Sequence, residues 1–242
     1  MNLGVIIQAR VGSSRYPEKV IRPFYKTKSI LDIIIEVTKT ISSSIVVATS
    51  TQVKNESIVD IAKRHNISYY QGDEENVLSR FIHVIKKYGF THVIRICADN
   101  PFLSKELALL LLKKYDGQSD YCSYLIQGKP AILTHYGLFC EIIKASSLLS
   151  LSETNDKDIK EHVTISHYTS ELYETQWVNE DTLNNLPNFR LTVDTPEDFQ
   201  IAQKIYALLD ESGNHSISNL VSLISTTKMS QEFQSNILNN TK

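Results

Sequence analysis

No G-x-x-x-x-G-K-[ST] run occurs in the 242 residues, which excludes a Walker-type phosphate loop. Cysteine is scarce: Cys97, Cys122 and Cys140 stand far apart, with no C-x-x-C pair. Neither a zinc site nor a disulfide framework is indicated, and the three read as small apolar residues of a reducing compartment. An excess of one charge is also missing. A formal net charge of -2 supports no general nucleic-acid or membrane-surface role, so an anion must be held by local charge. The most apolar run, 107–112, is far too short to span a bilayer. No basic segment followed by a long apolar one precedes Arg10. No G-x-S-x-G elbow and no Cys/His nucleophile arrangement is present, which points away from covalent catalysis. The expectation is a cytoplasmic protein with neither membrane nor nucleic acid as partner.

What is there is an ordinary globular composition, 42% hydrophobic and 21% charged, with enough chain for a proper core. Strand patterns over 3–9, 44–50, 67–70 and 92–97 alternate with helical patterns over 29–40, 55–65, 75–88 and 104–115. Ser29, Asp73 and Ser104 are placed to cap three of these helices, and Gly89 to end one. The succession predicts a parallel, helix-covered sheet over the first half. After Asp120 the rhythm breaks. Strands are predicted at 121–126, 138–143, 174–178 and 189–193, with a helix at 158–168. Thr195-Pro196-Glu197-Asp198 opens a last strong helix, with a Thr cap, Pro at its first position and acids in the first turn. Gly213 and Asn214 separate it from a terminal amphipathic helix and a polar, frayed tail. No repeat, linker or low-complexity block divides the chain. The predicted division is a main domain over 1–210, with an acceptor-pocket and dimer region at about 120–190, and a C-terminal helix and tail over 211–242.

The chemistry concentrates after the first strand. The loop gathers Arg10, Arg15, Lys19 and two serines, Ser13 and Ser14, around the single glycine Gly12. Cations that close together repel, so the loop is suited to an anion: guanidinium forks and backbone N–H groups fit phosphate oxygens, and lysine supplies a point charge. The same residues at a solvated surface are the plain alternative. Position favours the phosphate, because open parallel sheets bind ligands beyond the carboxyl ends of their strands. Asp99 and Asp194 each follow a predicted strand. A pair of carboxylates there forms a seat for Mg²⁺, although each alone also reads as a turn or capping residue. Mg²⁺ with the cationic loop would neutralise a triphosphate. His162 and His167, five apart, lie on different helix faces and lack metal spacing; His162 is a candidate for lining a substrate pocket.

Six ordered segments carry a resemblance. They are Ile-Ile-Gln-Ala-Arg-Val-Gly-Ser-Ser-Arg-Tyr-Pro-Glu-Lys at 6–19, Val-Val-Ala-Thr-Ser at 46–50 and Gly-Asp-Glu-Glu-Asn-Val-Leu-Ser-Arg at 72–80. Arg-Ile-Cys-Ala-Asp-Asn-Pro at 95–101, Lys-Glu-His-Val-Thr at 160–164 and Arg-Leu-Thr-Val-Asp-Thr-Pro-Glu-Asp-Phe at 190–199 complete the series. Over roughly 3–210 the chain resembles the cytidylyltransferase family, which includes the Kdo and acylneuraminate enzymes. Its nearest branch is the spore-coat polysaccharide biosynthesis protein F group.

The resemblance implies a GT-A-like, Rossmann-type three-layer α/β sandwich with a mostly parallel mixed sheet, commonly dimeric. It implies a nucleotidyltransferase in which an acceptor oxygen attacks the α-phosphate of CTP and pyrophosphate leaves, in surface polysaccharide or capsule biosynthesis. Arg10, Gly12, Ser13, Arg15 and Lys19 match the triphosphate loop. Ala9, Ala48 and Thr49 match positions near base and ribose, Arg80 a family arginine near the nucleotide, and Asp99 and Asp194 the metal aspartates. Lys19, Arg10, Asp99 and Asp194 are thus the expected catalytic set, with Mg²⁺ as cofactor.

The acceptor side departs from the pattern: Gly137-Leu138-Phe139-Cys140-Glu141 stands where relatives often read Gly-Leu-Asp-Val-Glu. Gly137, Glu141 and His162 are the candidate acceptor residues. The acceptor itself, small and anionic, stays open between a sugar acid and a phosphorylated small molecule. Two other readings compete. A GT-A nucleotide-sugar glycosyltransferase is opposed by a loop suited to an unsubstituted triphosphate and by the lack of D-x-D at a strand end. A non-catalytic nucleotide-binding scaffold is opposed by the paired Asp99 and Asp194.

Overall fold

The opening strand is buried on both faces, since Val5 and Ile7 point to one side, Ile6 to the other, and all three are sealed from solvent. The computed structural model describes residues 1–226. The first half runs β1 (Leu3–Gln8), β2 (Pro23–Tyr25), β3 (Lys28–Ser29), α1 (Ile30–Lys39), β4 (Ile45–Ser50), α2 (Glu56–Arg64), β5 (Ser68–Gly72), α3 (Val77–Tyr88) and β6 (His92–Cys97). Then come α4 (Lys105–Lys114), β7 (Tyr121–Ile126), β8 (Lys129–Pro130), β9 (Glu141–Lys144), α5 (Ala145–Ser150), α6 (Lys157–His162) and α7 (Ile165–Thr169). β10 (Thr175–Asn179), α8 (Asp181–Asn184), α9 (Pro196–Ser212) and α10 (Ile217–Thr226) follow.

The main sheet has the order β10-β7-β9-β6-β1-β4-β5, with β8 added to β7. β1 pairs in parallel with β4 and β6, β4 with β5 and β7 with β10, while β9 is antiparallel between β6 and β7. Helices α1, α2, α4, α9 and α10 pack with Val5 and Ile7 on one face. On the other, α3 and α5 cover Ile6, Val46 and Ala48. This is the expected three-layer sandwich with a mostly parallel mixed sheet. The crossovers leave β1 toward β4 and β5, then return to place β6 on its opposite side. The carboxyl ends of β1 and β6 therefore flank a topological switch point, where such sheets hold ligands.

Local chemistry fixes the helix ends. Ser29 with Asp32, and Thr195 with Asp198, form reciprocal capping boxes on α1 and α9. Gly89 ends α3 at φ 65°, a left-handed conformation that glycine adopts without strain.

Four expectations need correction. Asn76, not Asp73, caps α3 by accepting from Ser79 N–H at 2.9 Å. Asp73 instead accepts from Glu75 and Asn76 N–H in the turn before it. The helix predicted at 158–168 is split into α6 and α7 by Val163, whose φ of 48° and ψ of -53° let Thr164 N–H bond back to His162 O. That is a tight three-residue turn of the strained kind. The strand predicted from 138 begins only at Glu141, because the Leu138 carbonyl accepts from Ser104 N–H. The strand predicted at 189–193 is not one: Leu191 and Thr192 N–H both donate to the His135 carbonyl, at 2.8 and 3.1 Å, and Val193 N–H to Asp99 O. Two successive amides sharing one carbonyl interrupt the alternation of a regular ladder.

The amphipathic helix expected near the C-terminus is α10, which puts Leu220 and Ile224 into the core; the polar tail expected after it falls at 227–242, outside the described residues. Among the described residues no helix is long and apolar enough to cross a membrane.

Candidate active site

The loop after β1 hangs on its neighbours through its backbone. Ala9 N–H donates to Ala48 O at 3.1 Å, and Val11 N–H to Asn55 Oδ1 at 2.8 Å. The Val11 carbonyl then accepts from Ser13 and Glu18 N–H, both at 2.9 Å, which curls the loop over Gly12. Asn55 is sealed from solvent and donates to Ser50 Oγ at 2.6 Å and Glu74 Oε2 at 3.2 Å. Buried amides need such partners, so the loop's shape depends on Asn55.

Beneath the loop, Lys19 is buried and donates to Asp99 Oδ2 at 2.9 Å, Asp194 Oδ1 at 3.2 Å and the Val193 carbonyl. Burial alone would lower its pKa, but Asp99 and Asp194 outweigh that and raise it. Asp194 meets three cations: Lys19, Arg15 Nη2 at 2.9 Å and Arg190 Nη2 at 2.7 Å. Burial works against its ionisation, yet Lys19 and Arg15 hold the carboxyl below the usual range. Arg190 Nε is also fixed by Asp198 at 3.0 Å, and Arg10 Nη2 lies 3.3 Å from Glu161 on α6.

The loop's cations are thus not left to repel one another, as the sequence suggested. Lys19, Arg15 and Arg190 face Asp99, Asp194 and Asp198, three charges of each sign. A cluster balanced in this way has no surplus charge for a triphosphate, and an added divalent cation would supply it. Asp99 and Asp194 fit that role. Their oxygens converge on one ammonium nitrogen, and Mg²⁺ commonly takes only one or two protein carboxylates. Among the described residues no larger His, Cys, Asp or Glu group is arranged for a metal.

On the β4 side, Arg80 is almost completely buried and Nη1 donates to Ala48 O at 3.4 Å. Its Nε and Nη2, and the Thr49 hydroxyl, have no protein partner. Burial pulls the guanidinium down to about 10, opposed by Glu74. Unmet buried N–H groups are costly, so Arg80 is a donor set in want of acceptors. Ala9 and Arg80 thus meet at the Ala48 carbonyl, with Thr49 next to it in β4.

A cavity of about 820 Å³ opens beside the carboxylates. Arg15, Asp99 and Asp194 line one side, and Gly137, Glu141 and His162 also reach it. Glu141 is not a free acid. It is buried, paired with Arg95 Nη1, and accepts from Tyr121 OH and from Thr164 Oγ1 at 3.1 Å. These partners fix its side chain in the cavity lining. Gly137 has φ 62°, and a Cβ there would stand 3.1 Å from Asn100 Oδ1, so glycine is needed. His162 is exposed at the end of α6. His167 is sealed inside, with Nε2 on Ser147 Oγ at 2.8 Å, and burial pushes its pKa down to about 4.

Arg190, Asp198, Asn55 and Glu74 were not expected in the site from the sequence. A charged residue within the apolar run Phe189–Arg190–Leu191 was the available sign for Arg190. Nothing local announced that Asn55 would reach back to Val11.

Comparisons with known proteins bear on this geometry. Residues 4–241 match the sequence model of the family described as Cytidylyltransferase. The chain is 30% identical over 230 residues to the spore coat polysaccharide biosynthesis protein SpsF of Bacillus subtilis, covering 90% of this chain and 92% of that one. It is similar to the structure of a cytidylyltransferase from Leptospira borgpetersenii, with TM-score 0.81, 23% identity and coverage of 100% and 99% of the two chains. A second similar structure is CMP:2-keto-3-deoxy-manno-octonic acid synthetase complexed with CTP. There the TM-score is 0.61 at 15% identity, over 86% of this chain and 99% of that one.

Proposed function

The chain belongs to the cytidylyltransferase family, and from that premise we propose that it moves CMP from CTP to a small anionic acceptor and releases pyrophosphate. The observation that carries this reading is Lys19 joined to both Asp99 and Asp194 at the switch point, with the cavity alongside. An oxygen of the acceptor forms the new bond to the α-phosphorus, and the bond to the bridging oxygen of pyrophosphate breaks. Arg10, Ser13, Arg15 and the backbone of the loop face the departing phosphates, where fixed donors stabilise developing charge. Asp99 and Asp194 would hold Mg²⁺, which when bound supplies positive charge to phosphate oxygens. Lys19 keeps the two carboxylates together.

Arg80 gives the reading its preference for cytosine. Its unpaired N–H groups seek acceptors, and cytosine offers O2 and N3, whereas uracil presents a donor at N3. The acceptor, a sugar acid or a phosphorylated small molecule, takes the cavity; the first gives a CMP-linked product and the second a CDP-linked one. Similarity to a spore-coat polysaccharide protein supports a place in surface polysaccharide synthesis.

The test is pyrophosphate release with each of the four nucleoside triphosphates, with and without Mg²⁺, against a panel of sugar acids and sugar or polyol phosphates. Release with CTP alone and only with the metal is expected. Tight CTP binding with no release for any acceptor would favour a binding protein instead.

A further inference from the structure

His135 stands in the cavity wall with both faces of its chemistry defined. Its backbone carbonyl accepts from Leu191 and Thr192 N–H, which pins the residue to the segment leading to Asp194. Its Nδ1 lies 3.0 Å from Arg190 Nη1. A guanidinium can only donate, so Nδ1 must be the acceptor and the ring proton must sit on Nε2. Arg190 cannot turn away to relax this assignment. It is buried and held by Asp194 at 2.7 Å and Asp198 at 3.0 Å. Among the described residues no side chain bonds to Nε2. The neighbouring Thr192 Oγ1, in the same cavity lining, is buried without a partner. Unmet hydrogen-bonding capacity clustered on one wall is what a polar ligand would complete.

We propose that His135 is a specificity-determining residue for the acceptor, its Nε2–H donating to an anionic oxygen of that molecule. It cannot be the general base, because its one free nitrogen already carries the proton. A neutral N–H donor of this kind suits an oxygen of a carboxylate or of a phosphate. Burial and the adjacent Arg190 both disfavour the imidazolium, which keeps the donor neutral.

The proposal rests on the cytidylyltransfer reading for the identity of the cavity's ligand, and its test separates the two. Long-range ¹H–¹⁵N spectra of the ¹⁵N-labelled full chain, with Mg²⁺ and the unreactive α,β-methylene analogue of CTP, report the ring's tautomer. His135→Asn identifies the signal. A neutral ring protonated on Nε2 at pH 7 is expected. Calorimetry then measures binding of two probes, a 2-keto-3-deoxy sugar acid and a polyol phosphate, which distinguish carboxylate from phosphate.

His135→Asn keeps an oxygen for Arg190 but removes the Nε2–H, whereas His135→Gln restores a donor there. The first should weaken the binding probe by about tenfold, the size of one hydrogen bond, and the second by less than about threefold. Neither should change affinity for the CTP analogue. A proton on Nδ1, an imidazolium, wild-type probe affinity in His135→Asn, or no binding of either probe overturns the proposal. His135-dependent probe binding without pyrophosphate release from CTP supports it and overturns the transferase reading alone.

Discussion

Lys19 Nζ lies 2.9 Å from Asp99 Oδ2, tying the loop after β1 to the end of β6 across 80 residues of sequence. The same nitrogen reaches Asp194, so a single ammonium sets the spacing of two carboxylates. Asp194 keeps Arg15 and Arg190 if Lys19 is removed, whereas Asp99 loses its one ion-pair partner among the described residues.

Lys19→Met should therefore lower stability by about 1–3 kcal/mol in urea unfolding, since it leaves half-buried carboxylates short of a partner. Turnover should fall by at least about a hundredfold. Lys19→Arg should not rescue it, because a planar fork cannot replace a point charge shared by two carboxylates and a carbonyl.

The same pair sets a pH window. Asp194 is depressed below its ordinary 3.8, so its contribution is present above that value and lost as pH falls through the lower folded one. Lys19 is raised above 10.5, so its contribution is present below that value and lost as pH rises through the higher folded one. Stability from this cluster should be level between about pH 4 and pH 10. In Lys19→Met the alkaline decline should be shallower, read from urea midpoints against pH.

Asn55→Ala removes the acceptor for Val11 N–H and one of the donors to Glu74, which keeps Ser50 and Lys54. A cost of about 1–3 kcal/mol is expected, together with a raised KM for CTP as the loop loosens. Asn55→Asp keeps the acceptor but sets two carboxylates together, so it should be no better. An unchanged KM in both variants would separate the loop from the nucleotide.

Arg80→Leu should behave differently, because a buried guanidinium with unmet N–H groups contributes little to folding. Its melting temperature should stay level or rise, while the ratio of kcat/KM for CTP over UTP drops by about tenfold or more. A lost fold with an intact ratio would assign Arg80 to the core.

Asp32 offers a control away from the site. Burial resists its ionisation, but the Ser29 hydroxyl and N–H, Arg64 and His65 hold the carboxyl down to about 2. Its contribution, on the order of 2 kcal/mol, is present above 3.8 and fades as pH falls toward about 2. Asp32→Asn should remove that acid limb and destabilise at pH 7, with kcat unchanged.

The parallel half of the sheet was legible in the sequence because its strands are continuous apolar runs bounded by polar loops, as at Ile45–Ser50. Capping residues such as Ser29 and Thr195 marked helix starts for the same local reason. Beyond Ile126 the local signal failed where long-range bonds decide the backbone. Phe189 to Val193 has the composition of a strand, yet the buried Arg190 and the His135 carbonyl shape it otherwise. In the site, the loop and the two aspartates could be found from residue type and position. Their mutual neutralisation could not, since it depends on contacts as far as 175 residues apart.

Pyrophosphate release from CTP as a function of Mg²⁺ concentration, in the wild type, Asp99→Asn and Asp194→Asn, tests the central claim most directly. The expected result is release that saturates with Mg²⁺ in the wild type, is abolished by chelation, and falls by at least about a hundredfold in each variant. Release independent of Mg²⁺, or the same saturation curve in both variants, would contradict a metal-assisted cytidylyl transfer at these two carboxylates.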